Sequence, residues 1–304
     1  MSTRALTLRS PHPRRRLRLG RSPHRTVAAI VCILLTCVFI FPLYWLIVTS
    51  FKPSGQVLAM PPVLVPTHLT LNAYRQVWLN RTGETMIAGS SGQWLTYMWN
   101  SLEISLAVTA ATVVISSLAG YGFARLRFWG STAALVIVLV SQMLPGPTIL
   151  VPVSVMMKDL GLYDSKFGLI LLYIAFAVPF TTWLSVGNFR AIPKQVEEAA
   201  FMDGASIWRT FRSVVLPLAV PSLISTGIFA FLMSWSEYPF ALVLLQSPQN
   251  YTVSLGLAQF AFAFDISFRS IGAAATMIMV PMLVLFLFAQ RFLVQGLLTG
   301  ALKE

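Results

Sequence analysis

The chain has 304 residues, 56% of them hydrophobic and only 11% charged. Soluble domains average about 25% charged residues, so this composition excludes an ordinary soluble fold and points to a membrane protein. The formal net charge of +12 would suit nucleic acid if it were spread over a surface, but it is concentrated at one end, which argues against a nucleic-acid partner.

In chain order, residues 1–25 form a Ser/Pro/Arg-rich tail carrying Arg4, Arg9, Arg14, Arg15, Arg16, Arg18, Arg21 and Arg25. Such a tail is expected to be disordered. Basic residues directly before a first span hold it on the cytoplasmic side. Val27–Phe51 is then free of charge for 25 residues. That exceeds a signal-peptide core of about 7–15, so it reads as an uncleaved anchor. Cys32 and Cys37 lie in this run. On a helix they point roughly 140° apart, so they cannot pair locally and read as small apolar packers.

A charge in the hydrocarbon core costs at least about 2.5 kcal/mol, so charge-free windows locate spans. Six windows are long enough to cross about 30 Å: Val27–Phe51, Ile104–Ala124, Phe128–Met157, Phe167–Phe189, Ser213–Ser236 and Ser270–Gln290. They place spans at about 27–50, 101–124, 131–155, 168–188, 215–236 and 270–291 of a permease domain over 26–304. Pro53–Tyr74 is also uncharged, but Pro53, Pro61, Pro62 and Pro66 bar a continuous helix. Tyr238–Phe264 is split by Gln246–Thr252 into pieces too short to cross. Both read as extramembrane loop or interfacial structure. In the third span, Ser141–Pro147 contains Pro145, Gly146 and Pro147, which must disturb the helix midway.

With the N-terminus inside, the inside segments hold 16 Lys/Arg and the outside segments 6. This positive-inside bias predicts cytoplasmic N- and C-termini. It also puts the segment 190–214, between the fourth and fifth spans, on the cytoplasmic side. There Lys194 to Met202 reads as a helix led by Pro193, with Val196, Ala199, Ala200 and Asp203 on one small stripe. Gly204 ends it and permits positive φ. Asp203 or Ser206 is a cap for a following helix carrying Trp208, Phe211 and Val215. Physical reasoning alone leaves this segment as either a docking element or a loop folded on its own protein. His12, His24 and His68 fall outside the spans, no H-E-x-x-H is present and no acidic pair lies mid-span, so no metal site or membrane enzyme is expected. The chain has no G-x-x-x-x-G-K-[ST] phosphate cradle, so any ATP must be bound elsewhere.

Glu198-Ala199-Ala200, three residues, Gly204, nine residues and then Val214-Val215-Leu216-Pro217 resemble the EAA loop of ABC importer permeases, with Val214 where Ile is usual. The chain is most similar to the carbohydrate-uptake branch, in its MalG-like group. Asn100–Phe128, Leu160–Tyr173, Ser234–Leu245 (with Ser236 for the usual Asn) and Gly296–Lys303 carry that resemblance over residues 26–303. The Arg-rich start and Arg81–Gln93 are not explained by it. The resemblance implies an all-α integral membrane protein with six transmembrane helices, of the type I ABC importer permease kind, in a bacterial cell membrane. It implies that Glu198, Ala199, Ala200, Asp203, Gly204 and Ala205 form a coupling surface for an ATPase. It implies a second, MalF-like permease subunit, two ATPase subunits that bind the ATP, an extracytoplasmic solute-binding protein and a sugar as cargo. No cofactor of the chain's own, catalytic residue or metal is expected.

A neutral sugar is held by amide, hydroxyl and aromatic groups. Unwound membrane backbone is tolerated where it lines a cavity. Gln142 and Met143 are therefore candidates for the translocation path, with a structural kink as the alternative. Trp235 and Glu237 at the outer end of the fifth span are further candidates, and Glu103 lies at the same depth. An ABC permease for another solute, such as glycerol phosphate, would favour basic residues in the spans, and none is present. A secondary transporter would need midplane ionisable residues, which are also missing.

Overall fold

A computed structural model describes residues 23–79, 93–126, 128–143, 145–261 and 267–301, and the side chains of 27–78, 93–126, 128–143, 145–260 and 267–290. Most of the basic tail, residues 80–92, Arg127 and Lys303 lie outside the described residues. Among the described residues all regular structure is helical. The helices in chain order are α1 Pro23–Phe51, α2 Ser54–Val57, α3 Asn72–Leu79, α4 Trp94–Arg125, α5 Ser131–Val140, α6 Gly146–Asp159, α7 Lys166–Ala191, α8 Lys194–Met202, α9 Ile207–Thr210, α10 Leu216–Ser236, α11 Pro239–Leu244, α12 Val253–Ala261 and α13 Phe268–Ala301.

Two units divide between Trp45 and Leu46. The first, among the described residues, is the greater part of α1. Its apolar side chains, Cys32 and Cys37 among them, are exposed, and the Thr36 hydroxyl donates to the Cys32 carbonyl at 2.7 Å. That back-bond satisfies the hydroxyl inside its own helix, as a lipid-facing position requires.

The second unit is built around α4, which packs most extensively on α7 and then on α10. Ser105, Thr112 and Ser116 of α4 and Thr181 and Ser185 of α7 are buried, and a Cβ built at Gly120 would lie 2.5 Å from that of Ser185. Small residues at a membrane helix crossing let the backbones approach, replacing the hydrophobic drive that lipid removes. At one end of the bundle Tyr121, Phe189, Phe211, Val215, Ala219 and Leu223 form an apolar cluster. At the other, Ile104, Leu169, Tyr173, Phe240 and Leu244 form a second. A third holds Trp94, Tyr97, Phe231, Trp235, Phe260 and Ala273.

Five helical stretches are long and apolar enough to cross a membrane, and the sixth expected span is a bent pair. The disturbance expected midway along the third span is present. Helix α5 gives way to one turn of 3-10 helix at Ser141–Met143, and α6 departs at 97°. Pro145 begins the new helix as its cap in an extended conformation, φ −61° and ψ 120°, which stops the preceding helix. The helix carrying Trp208, Phe211 and Val215 leads into the fifth span without ending. One helical path runs from Ile207 to Ser236, with a single π-helical turn at Phe211–Val215 ahead of Pro217. Proline supplies no N–H and crowds the carbonyl four residues back, and a π turn absorbs both effects without ending the helix.

The described residues of the Tyr238–Phe264 window, 238–261, are largely helical. The two halves form α11 and α12, which bury Phe240, Leu244, Val253, Leu255 and Phe260 against α4, α6 and α13. The halves are too short to cross but too apolar to leave the bundle. The break at Gln246–Thr252 falls where the sequence placed it.

Candidate functional site

Helix α8 occupies the expected residues. Pro193 stands just before it as the cap, with φ −59° and ψ 134°. The helix ends in a Schellman pair. The Gly204 N–H donates to the Phe201 carbonyl and the Ala205 N–H to the Ala200 carbonyl, both at 3.0 Å. Gly204 takes φ 79°, the left-handed conformation this motif needs. Ser206 caps α9, its hydroxyl accepting from the Arg209 N–H at 3.3 Å. Asp203 closes α8 instead.

The expected small stripe is divided. Val196 and Ala200 are half-buried, while Ala199 and Asp203 are exposed beside Glu198 and Gly204. The outward surface also holds larger groups than the stripe suggested: Phe201, Met202 (87% exposed), Ile207 and Trp208. Exposed large apolar residues on a charged rim are the composition of a protein contact surface.

The inner face of α8 is held by Glu197, which sequence reasoning passed over. Its carboxylate meets the Arg125 guanidinium at 2.5 Å, with side chains 6% and 8% exposed, and accepts from the Tyr121 hydroxyl at 3.1 Å. Arg125 also donates to the Ile192 carbonyl at 2.7 Å. The signal available in the sequence was phase: Tyr121 and Arg125 are one helical turn apart, and Glu197 is one step off the exposed Glu198.

The expected pathway residues do not come together. Gln142 donates to the Phe176 carbonyl of α7 at 3.2 Å, while Met143 is exposed. Trp235, expected on the pathway, is a core residue at 1% exposed, stacked on Phe231 at 5.4 Å. With Leu95, Thr96, Met98, Trp99, Leu102 and Pro281 it lines a mostly apolar groove. Glu237 is turned inward. It accepts from the Phe240 and Ala241 N–H groups at 2.8 and 3.2 Å, capping α11, and from the Tyr173 hydroxyl at 2.5 Å. An acid three residues before a helical N–H caps that helix, and here the cap outweighs exposure. Glu103 pairs with Lys166 at 2.6 Å.

At the end of the bundle opposite α8, Asp164 gathers the break between α11 and α12. It sits at φ 53° and accepts from the Gln246 and Ser247 N–H groups at 2.9 and 3.0 Å, from the Ser247 hydroxyl and from the Asn250 amide. Asn100 supports the same loop by donating to the Gln249 and Tyr251 carbonyls at 2.7 and 3.0 Å. Partial burial pushes the Asp164 carboxyl up, but the Ser247, Gln246 and Asn250 donors outweigh it and hold it down at about 2. Its folded value lies below the ordinary value of about 3.9, so the loop gains full support above pH ~4 and loses it as pH falls toward 2. Pepsin cleavage within 245–251 is expected to rise across that window in the native chain. In Asp164→Asn, with no carboxylate to titrate, cleavage is expected to be high throughout.

The family described as binding-protein-dependent transport system inner membrane component matches residues 112–299. The chain is 31% identical to the diacetylchitobiose uptake system permease protein DasC of Streptomyces coelicolor, over 90% of this chain and 95% of that one. It is 32% identical to the trehalose/maltose transport system permease protein MalG of Thermococcus litoralis, over 92% and 97%. In three dimensions it is similar to a chain of a bacterial ABC transporter involved in the import of the acidic polysaccharide alginate, with TM-score 0.73, 22% identity and coverage of 90% and 98%. That last likeness is one of fold.

Proposed function

We propose a role for this chain from one premise: it belongs to the binding-protein-dependent transport system inner membrane component family. It is a multi-pass membrane subunit of an ABC importer, with no catalysis of its own. Its cargo is a sugar, handed over by an extracytoplasmic binding protein. ATP is hydrolysed by two partner subunits, one of them docked on α8 and α9, and a second permease subunit completes the passage. The Lys/Arg bias orients both termini and the α8 loop toward the cytoplasm.

The observation that carries the cargo reading is the shared naming of full-length relatives for neutral sugars, diacetylchitobiose and trehalose/maltose. The uncharged spans agree with it, since a phosphate ester would call for basic residues there. The docking reading rests on Glu198, Ala199, Ala200, Asp203, Gly204 and Ala205, set between the exposed Phe201, Met202, Ile207 and Trp208. Closure of the two ATPases would move α8 and so bias the spans between inward- and outward-facing states.

The test is a thermal-shift screen of the cognate binding protein against maltose, trehalose, diacetylchitobiose and glycerol phosphate. ATP turnover of the reconstituted complex is then measured with the binding protein loaded or empty. A sugar is expected to raise the melting temperature, and only the sugar-loaded protein to stimulate turnover. Stabilisation by glycerol phosphate alone would replace sugar with the phosphate-ester alternative.

A further inference from the structure

The exposed face of α8 explains how a partner is met, but not how a push on a nine-residue helix reaches the membrane. The buried face of α8 supplies that connection. Arg125 ends α4, and its guanidinium reaches two further elements at once: the Glu197 carboxylate of α8 at 2.5 Å and the Ile192 carbonyl, just past the end of α7, at 2.7 Å. Tyr121, one turn earlier on α4, donates to the same carboxylate at 3.1 Å. The Tyr121 ring lies 5.7 Å from that of Phe189 on α7 and 4.8 Å from that of Phe211 in the π turn leading into α10. Four segments therefore meet at one joint, whose ionic centre is removed from water.

An exposed ion pair would let α8 tilt at little cost. A buried one does not, because separating it strands a charge in an apolar setting. Resting on the docking role proposed above, we propose that Arg125 and Glu197 are positioning residues for energy coupling. They clamp α8 to the end of α4, so that displacement of α8 carries α4, the 32-residue helix on which α7 and α10 pack, instead of bending the loop.

The experiment uses the assembled complex with Cys32 and Cys37 replaced by serine and spin labels at two exposed sites, Gln195 on α8, away from the docking residues, and Val114 on α4. In the otherwise native chain one narrow distance is expected, and trapping with ATP and vanadate should leave it unchanged. Glu197→Gln is expected to co-purify with the ATPase but to broaden or split that distance on trapping, and to lower ATP-driven uptake at least tenfold. The exchanged pair R125E/E197R should narrow the distribution again. An E197Q complex that keeps the narrow distance through trapping would overturn the proposal, as would one with a split distance and undiminished uptake. The distance readout needs no sugar, so failure to find a sugar cargo would be seen separately.

Discussion

Gly120→Leu is expected to abolish recovery of folded protein. Gly120 lies where α4 crosses α7, and a Cβ there would stand 2.5 Å from Ser185 Cβ and 3.1 and 3.2 Å from the Ser185 carbonyl carbon and the Val186 nitrogen. Two of those three contacts are helix backbone, which cannot rotate away. The whole α4–α7 contact must open, and with it the burial of Ser116, Thr181 and Ser185. Overpacking a well-filled core costs about 1–3 kcal/mol when side chains can yield. Here the obstacle is a second helix, in an environment where close packing is a principal source of association. Gly122→Leu is the control, since a Cβ at Gly122 meets nothing within 4 Å. Fluorescence-detected size exclusion of the two variants should show a monodisperse peak for Gly122→Leu and none for Gly120→Leu. Equal recovery of both would show that α4 and α7 do not cross this tightly.

Gly204→Val is expected to insert normally yet lose transport. Nothing lies within 4 Å of a Cβ at Gly204, so sterics with neighbours are not the issue; the backbone is. At φ 79° a side chain with a β-carbon costs about 1–2 kcal/mol, and more when it is β-branched. The cheaper course for the chain is to leave the left-handed conformation. That breaks the two 3.0 Å bonds ending α8 and re-aims α8 against α9. The surface made jointly by Phe201 and Met202 on one side and Ile207 and Trp208 on the other is then divided. Asn tolerates this conformation, so Gly204→Asn should retain most activity. Co-purification with the ATPase and sugar-stimulated ATP turnover should fall about tenfold or more in Gly204→Val and less than threefold in Gly204→Asn. Equal loss in both would point instead to the missing side chain as the partner's requirement.

The EAA loop was legible for different reasons along its length. Its helix and glycine turn follow from local rules: a proline start, helical spacing and a residue free to take positive φ. Glu197 was not legible. Its neighbour Glu198 has the same chemistry, and only the packing of α8 on α4 decides which of the two turns toward Arg125. Glu237 shows the reverse error. Its place at the end of a span suggests a solvated or intersubunit carboxylate, but the short helix that follows turns it back as a cap. Trp235 and Gln142 were read as path candidates from their chemistry, which says nothing of the core position of the first or of the bond from the second to α7, both set by neighbouring helices.

By itself the sequence determined the solvent, the number of apolar stretches and the location of the loop. Hydration free energies are large and local, so a charge-free run of sufficient length reports on itself. Only the tertiary structure decided which face of each helix is used, how the third span bends and which ionic groups pair. Those outcomes depend on the relative placement of α4, α7, α8 and α11, set by contacts between residues as far apart as Arg125 and Glu197 or Asp164 and Ser247, which no local pattern encodes.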